Sequence, residues 1–167
     1  AIDDYNLAIF IGAGVSRLVG CSSWDELGKK LIDRCFSENV IIYREKESLN
    51  DLNDPRKVLT ICHSLLNEKE NIFIDEMKIS LRDNDQIEIP NIYDEIYKLR
   101  GLFVTTNVDR HFHRKFQNPN IIYNVNELTK DNIDRTKLYH IHGCISQPST
   151  IIFTLNSYFK LYRDTKL

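Results

Sequence analysis

The sequence predicts an α/β fold of Rossmann-like type, with a largely parallel sheet, helices on both of its faces and a helical insertion after the first strand. Three observations lead there. Short apolar runs open at Leu7, Leu102 and Leu138, a length that suits strands of a buried parallel sheet. Each run closes on glycine or polar residues: Gly12-Ala13-Gly14-Val15-Ser16, Thr105-Thr106-Asn107-Val108-Asp109 and His142-Gly143. Polar groups at strand ends are what a site at the carboxyl edge of an α/β sheet requires. Between the runs, apolar residues recur at helical spacing.

The first element is a strand from Leu7 to Ile11 that runs into a tight turn at Gly12-Ala13-Gly14. Glycines let the backbone come close to a ligand, and Ser16 supplies a hydroxyl where a phosphate could sit. A dinucleotide fingerprint would have a third glycine where Arg17 stands. Residues 17–22 are expected to form a loop over the site. Ser23-Trp24-Asp25-Glu26 then reads as a capping box, opening a helix that runs to about Ser37 with Leu27, Leu31, Ile32 and Cys35 on one face. Trp24 is expected to pack the start of this helix onto the sheet.

The insertion covers residues 38–100. Its first part, to Asp54, mixes charge with a short apolar run and reads as loop or broken helix. Asp54-Pro55 is a helix start with proline at the first position, and Val58, Ile61, Cys62 and Leu65 form its apolar face. His63 reads as a solvated or partly covered residue beside that face. A second helix from about Asn71 buries Phe73, Met77 and Leu81, and a third near 93–99 leads to a turn at Gly101. Three helices exceed a simple crossover, so the insertion is a candidate lid or partner surface.

Leu102 to Thr106 is the second strand, followed by a helix that carries Phe112 and Phe116 four residues apart. Short strands are expected at 121–123, 138–141 and 151–153, and a last helix at 154–162.

Composition narrows the function classes. A chain of 167 residues is one domain's worth and can bury a core, while a net charge of −2 gives no electrostatic case for nucleic acid. No apolar run approaches the roughly 20 residues that span a bilayer. The four cysteines are widely spaced and form no Cys-x-x-Cys pair, which argues against a zinc ribbon and suits a cytoplasmic location.

Taken in order, Gly-Ala-Gly-x-Ser, Thr-x-Asn-x-Asp and His-Gly resemble the motifs of the sirtuin superfamily. The resemblance implies that NAD is bound as substrate, with Gly12, Ala13, Gly14 and Ser16 on the pyrophosphate and Thr106 among the cofactor contacts. It implies that Asn107 sits by the ribose and orients water, that Asp109 binds the nicotinamide carboxamide, and that His142 is the general base. Histidine suits that role because its ordinary pKa is about 6.5. No metal is expected.

The sequence also departs from the sirtuin deacylases. Their Gly-Ile-Pro-x-Phe-Arg type of loop is replaced by Gly20-Cys21-Ser22-Ser23-Trp24, and their four-cysteine zinc module and Phe-Gly-Glu strand are absent. With the NAD end kept and the peptide groove unrecognisable, the chain looks like the sirtuin-like NAD-hydrolase domains of bacterial antiphage defence proteins. That likeness implies a homo-oligomer or fused effector or sensor domains as partners. Sirtuin-like domains also continue into strands that help hold the adenosine, so the 167 residues are expected to be an excerpt of a longer chain. A protein deacylase and an NAD- or nucleotide-sensing module are the alternatives.

Plain structural readings stand beside each role. Asn107 suits a turn and helix N-cap, Asp109 a helix N-terminus, and His142 a hydrogen-bonded strand end. A metal reading also exists, since His140 and His142 share a strand face. His111 and His113 have the same spacing, but on a helix it points them apart.

Overall fold

Backbone hydrogen bonding turns the apolar runs into a sheet whose strands all point the same way. The computed structural model describes residues 7–83, 92–117, 120–124, 127–129 and 133–164. In chain order these form β1 (Ala8–Ile11), α1 (Ala13–Leu18), α2 (Trp24–Ser37), α3 (Tyr43–Asn50), α4 (Pro55–Leu65), α5 (Glu70–Ser80) and α6 (Ile92–Lys98). There follow β2 (Leu102–Thr105), β3 (Ile121–Ile122), β4 (Leu138–His140) and α7 (Leu155–Asp164). The sheet order is β1-β2-β4-β3 with every pairing parallel, as a Rossmann-like α/β fold requires.

The chain divides into two compact units. One comprises Ala1–Cys21 and Leu81–Ile151 and contains the whole sheet. Its core gathers Ile11, Val19, Tyr93, Phe103, Phe112 and Leu138. Phe103 and Phe112 meet edge to face at 5.5 Å, and Phe112 and Phe116 at 5.2 Å, arrangements that the ring quadrupole favours. The register is continuous across the neighbouring strands: Ile11 stands beside Thr105, and Thr105 beside His140. The carboxyl ends of β1, β2 and β4 therefore lie side by side on one edge.

The other unit comprises Ser22–Ser80 and Ile152–Leu167 and is helical. Within it α2 packs on α3, α4 and α5, and α4 packs on α7. The capping box at its start is present: Glu26 N–H donates to Ser23 Oγ (3.2 Å), and Ser23 N–H donates to Glu26 Oε2 (2.7 Å). Asp54 likewise accepts from Arg56 N–H at 3.0 Å, with Pro55 at the first helical position. Cys35 and Cys62 are buried and paired thiol to thiol, and this contact and burial push the Cys62 thiol up.

Several local expectations change. The segment after Gly14 is helical through Leu18, so Arg17 belongs to α1 rather than to a loop. Helix α3 forms where loop or broken helix was expected; Leu49 is its sole buried residue, which leaves little periodicity to read. The buried stripe of α4 is Val58, Leu59 and Cys62, continued by Leu66, while Ile61 and Leu65 are 37% and 38% exposed. Two apolar stripes overlap on this helix, and spacing alone does not choose between them. Trp24 is exposed, and Phe10, on the edge strand β1, is 72% exposed rather than core.

Residues 111–115 form a short 3-10 turn instead of an α-helix. Residues 151–153 are not a strand, because the N–H groups of Phe153 and Thr154 both donate to Ser157 Oγ at the start of α7. His63 is partly covered, edge-on to Phe73 and Phe153. Residues 84–91 of the expected insertion lie outside the described residues. No helix among the described residues is long and apolar enough to cross a membrane.

Candidate functional site

The three motifs meet at the shared carboxyl edge. Leaving β1, the chain passes through Gly12, the N-cap of α1, whose backbone is extended and whose position carries no side-chain cap. Gly12, Ala13 and Gly14 are exposed. A Cβ added at Gly12 or Gly14 would meet nothing within 4 Å, so no neighbouring group of the protein demands glycine there. Both positions instead leave room for something to lie against the backbone.

Beyond β2, the buried Thr105 latches two strand ends together. Its hydroxyl donates to the Ile11 carbonyl (2.9 Å) and accepts from Asn107 N–H (3.0 Å). The next residue, Thr106, is half-buried and donates its N–H to the same carbonyl at 3.3 Å.

Asn107 is then fixed by its side chain: Nδ2 donates to the Gly12 carbonyl at 2.9 Å and to Ser16 Oγ at 2.7 Å. A carbonyl can only accept, so the nitrogen must face it and the amide orientation follows. Both donors of the amide are thereby used, and Oδ1 remains as its acceptor.

Ser16 closes the network. Its hydroxyl is buried and donates to Asp109 Oδ2 at 2.5 Å while accepting from Asn107. The other carboxylate oxygen of Asp109 accepts from His111 N–H at 3.1 Å. Ser16 from the first motif and Asn107 and Asp109 from the second, more than ninety positions away, are thus one hydrogen-bonded group. The buried Tyr93 hydroxyl lies in the same surroundings, next to Ser16. Burial, followed by the Asp109 charge, pushes its pKa up.

His142 lies in the turn just past β4 and is half-buried; burial lowers its pKa below the ordinary histidine value. Burial thus favours the neutral imidazole, the form that accepts a proton. Its neighbour Gly143 is required by the backbone. It has φ +73°, and a Cβ there would sit 2.1 Å from the Thr150 carbonyl oxygen. Hydrogen bonds from Ile141 N–H to Thr105 O (3.0 Å) and from Ile145 N–H to Val108 O (2.7 Å) bind the loop after β4 to the loop after β2.

Two histidine contacts were not anticipated. His111 Nε2 is 2.9 Å from the Leu81 carbonyl and 3.3 Å from Cys21 Sγ. His113 pairs with His140, Nε2 to Nε2 at 2.9 Å, with Cys144 Sγ 3.7 Å from His113. Burial, then the His140 and Arg110 charges, brings His113 down to about 3. The two His-x-His pairs were visible in sequence, but their cross-pairing depends on the β2–β4 register and on the 3-10 turn.

Glycine backbone, the Asn107 amide and the Asp109 carboxylate are gathered at one carboxyl edge of a parallel sheet, with His142 in the turn that follows β4, and that edge is where open α/β folds take their ligands. Residues 101–167 match the model of a family described as SIR2-like domain. Over that span the chain is similar to a family associated with NAD, and the span includes Thr106, Asn107, Asp109 and His142. Gly12 to Ser16 fall outside the matched residues and join the site through the Asn107 and Asp109 hydrogen bonds. Among curated proteins, none matches the chain.

Proposed function

We propose that this chain carries the catalytic site of an NAD glycohydrolase, cleaving the nicotinamide–ribose bond with water. The observation that carries the reading is the Asn107 amide, held by Gly12 O and Ser16 Oγ so that its remaining acceptor is Oδ1. An acceptor fixed in this way orients a water, or a ribose hydroxyl, without reorganising during the reaction. The bond to the nicotinamide ring nitrogen breaks with its electron pair leaving on nicotinamide, and an oxocarbenium-like ribose develops, as in glycoside transfer. Water oriented by Asn107 adds to that carbon, and neutral His142 takes a proton from the water or from a ribose hydroxyl.

In this reading the pyrophosphate lies along the open backbone of Gly12, Ala13 and Gly14. Ser16 holds Asn107 and Asp109 in place, and Thr106 adds a cofactor contact. Asp109 keeps lone pairs for the nicotinamide amide beyond those accepting from Ser16 and His111. The Gly20-Cys21-Ser22-Ser23-Trp24 stretch, which stands where the deacylases have their own loop, supports water, rather than an acyl-lysine, as the acceptor. It also supports a role like that of antiphage defence NAD hydrolases.

The test is nicotinamide release from NAD by the purified protein, with and without an acylated peptide. Release without peptide, lost in folded Asn107→Ala and His142→Ala variants, is the expected result. Release only with peptide would assign a deacylase, and saturable binding without product a sensor.

A further inference from the structure

We infer that His113, His140 and Cys144 form a binding site for one zinc-like divalent cation, in contact with the backbone of the loop that carries Asn107 and Asp109. The three donor atoms lie within 4.8 Å of one another. They come from three segments: the 3-10 turn after β2, the last residue of β4, and the loop after Gly143.

The protein presents a lone pair at the centre of this cluster. His140 Nδ1 is 2.9 Å from the Asn107 carbonyl, which can only accept, so Nδ1 carries the proton and Nε2 is left bare. A backbone carbonyl on the far nitrogen is the usual way a metal-binding histidine is oriented and its tautomer fixed. That bare Nε2 faces His113 Nε2 at 2.9 Å, and Cys144 Sγ stands 3.7 Å from His113 Nε2. Zinc takes nitrogen at about 2.0–2.1 Å and sulfur at about 2.3 Å in tetrahedral geometry, which places two nitrogens about 3.3 Å apart and nitrogen and sulfur about 3.6 Å apart. The spacing of the sulfur from His113 already fits, and its spacing from His140 lies within 4.8 Å. The imidazoles need to open by roughly 0.4 Å, a small movement for His113, which is only half-buried.

Chemistry and charge agree with a borderline cation. Two imidazoles and a thiolate suit zinc, with the fourth position left for water. On coordination the Cys144 thiol proton passes to solvent, the proton that His113 Nε2 donates to His140 moves to His113 Nδ1 by tautomer exchange through solvent, and the two nitrogen–metal bonds and the sulfur–metal bond form. The Asp109 carboxylate acts electrostatically on both His140 and Cys144 and so balances the residual positive charge. Cys144 Sγ also accepts from Ser146 Oγ at 3.3 Å. A bound ion would cross-link the loops after β2 and β4.

The experiment uses the full chain, stripped of metal with a chelator and titrated with Co²⁺ as a spectroscopic probe, then with Zn²⁺. The expected result is one Co²⁺ per chain with a thiolate-to-cobalt charge-transfer band, displaced by Zn²⁺, and a melting temperature raised by one equivalent of Zn²⁺. Cys144→Ser should abolish the band, and His113→Ala should weaken metal binding at least tenfold with the circular dichroism unchanged. Cys21→Ser should keep the band, since Cys21 belongs to the separate contact with His111. No saturable binding by the wild type would overturn the site and leave a His113–His140 hydrogen bond as the whole explanation. Binding that survived both Cys144→Ser and His113→Ala, or was lost in Cys21→Ser, would overturn it equally. If Cys144→Ser does not fold, His113→Ala and the zinc-dependent melt decide the matter.

Discussion

Replacing Gly14 by alanine should separate stability from activity. Gly14 lies in α1, and a Cβ built there meets nothing within 4 Å. The methyl group therefore has no steric cost within the protein. Removing a helical glycine gains about 0.5–1 kcal/mol, because alanine has less backbone freedom to lose. At about 2–4 °C per kcal/mol for a chain of this size, the melting temperature should rise by about 1–4 °C. If the pyrophosphate rests on this backbone, the same methyl group occupies the space of the ligand. Overpacking of that kind costs about 1–3 kcal/mol, so kcat/KM for NAD should fall about tenfold or more. The assays are thermal unfolding by circular dichroism and nicotinamide release at several NAD concentrations. A raised melting temperature with unchanged kcat/KM would remove the ligand from Gly14; a lowered melting temperature would refute the open geometry itself.

Ser16→Ala takes away the hydroxyl donor to Asp109 and one anchor of Asn107. Losing a hydrogen bond to a buried charge costs about 1.5–3 kcal/mol, so a melting temperature lower by about 3–12 °C is expected, with NAD turnover reduced even well below the new midpoint. Gly143→Ala forces an L residue to φ +73° and drives its Cβ against the Thr150 carbonyl. The unfolding midpoint in urea should drop by the equivalent of about 2–5 kcal/mol, and an unshifted midpoint would contradict the turn. Burial, then the Asp109 charge, pushes the Cys21 thiol up from 9.0 to about 12. The unfolded chain loses that proton first, so this contribution to stability is full below pH 9 and falls as pH rises towards 12. The urea midpoint should decline between pH 8 and pH 10, and less steeply in Cys21→Ala.

The parallel polarity of the strands was legible because apolar runs ending on polar residues leave few alternatives in an α/β chain, whereas their order in the sheet was not read. The parallel sheet and the helices at 24–37, 55–65 and 70–80 follow that pattern. Caps read well for the same reason: Ser23 with Glu26, and Asp54 before Pro55, are local chemistry that needs no tertiary partner. What failed depended on packing. The face of α4 was ambiguous by one residue, α3 had one apolar anchor, and residues 151–153 gave their N–H groups to Ser157 instead of to a strand. In the site, the motif residues were legible but their mutual bonds were not. Ser16 reads as a phosphate ligand in sequence, yet its proton goes to Asp109. The pairing of His113 with His140 and Cys144 needed the sheet register before it could be seen.

Water as the acceptor is the central claim, and heavy-oxygen water tests it most directly. The protein is incubated with NAD in oxygen-18-labelled water without any peptide, and the nucleotide product is weighed by mass spectrometry at short times, before ring opening exchanges the label. The account predicts nicotinamide and ADP-ribose in equal amounts, with one labelled oxygen on the ribose carbon that lost nicotinamide, and no product in Asn107→Ala. Product that forms only when an acylated peptide is added, or turnover that persists in the folded Asn107→Ala variant, would contradict it.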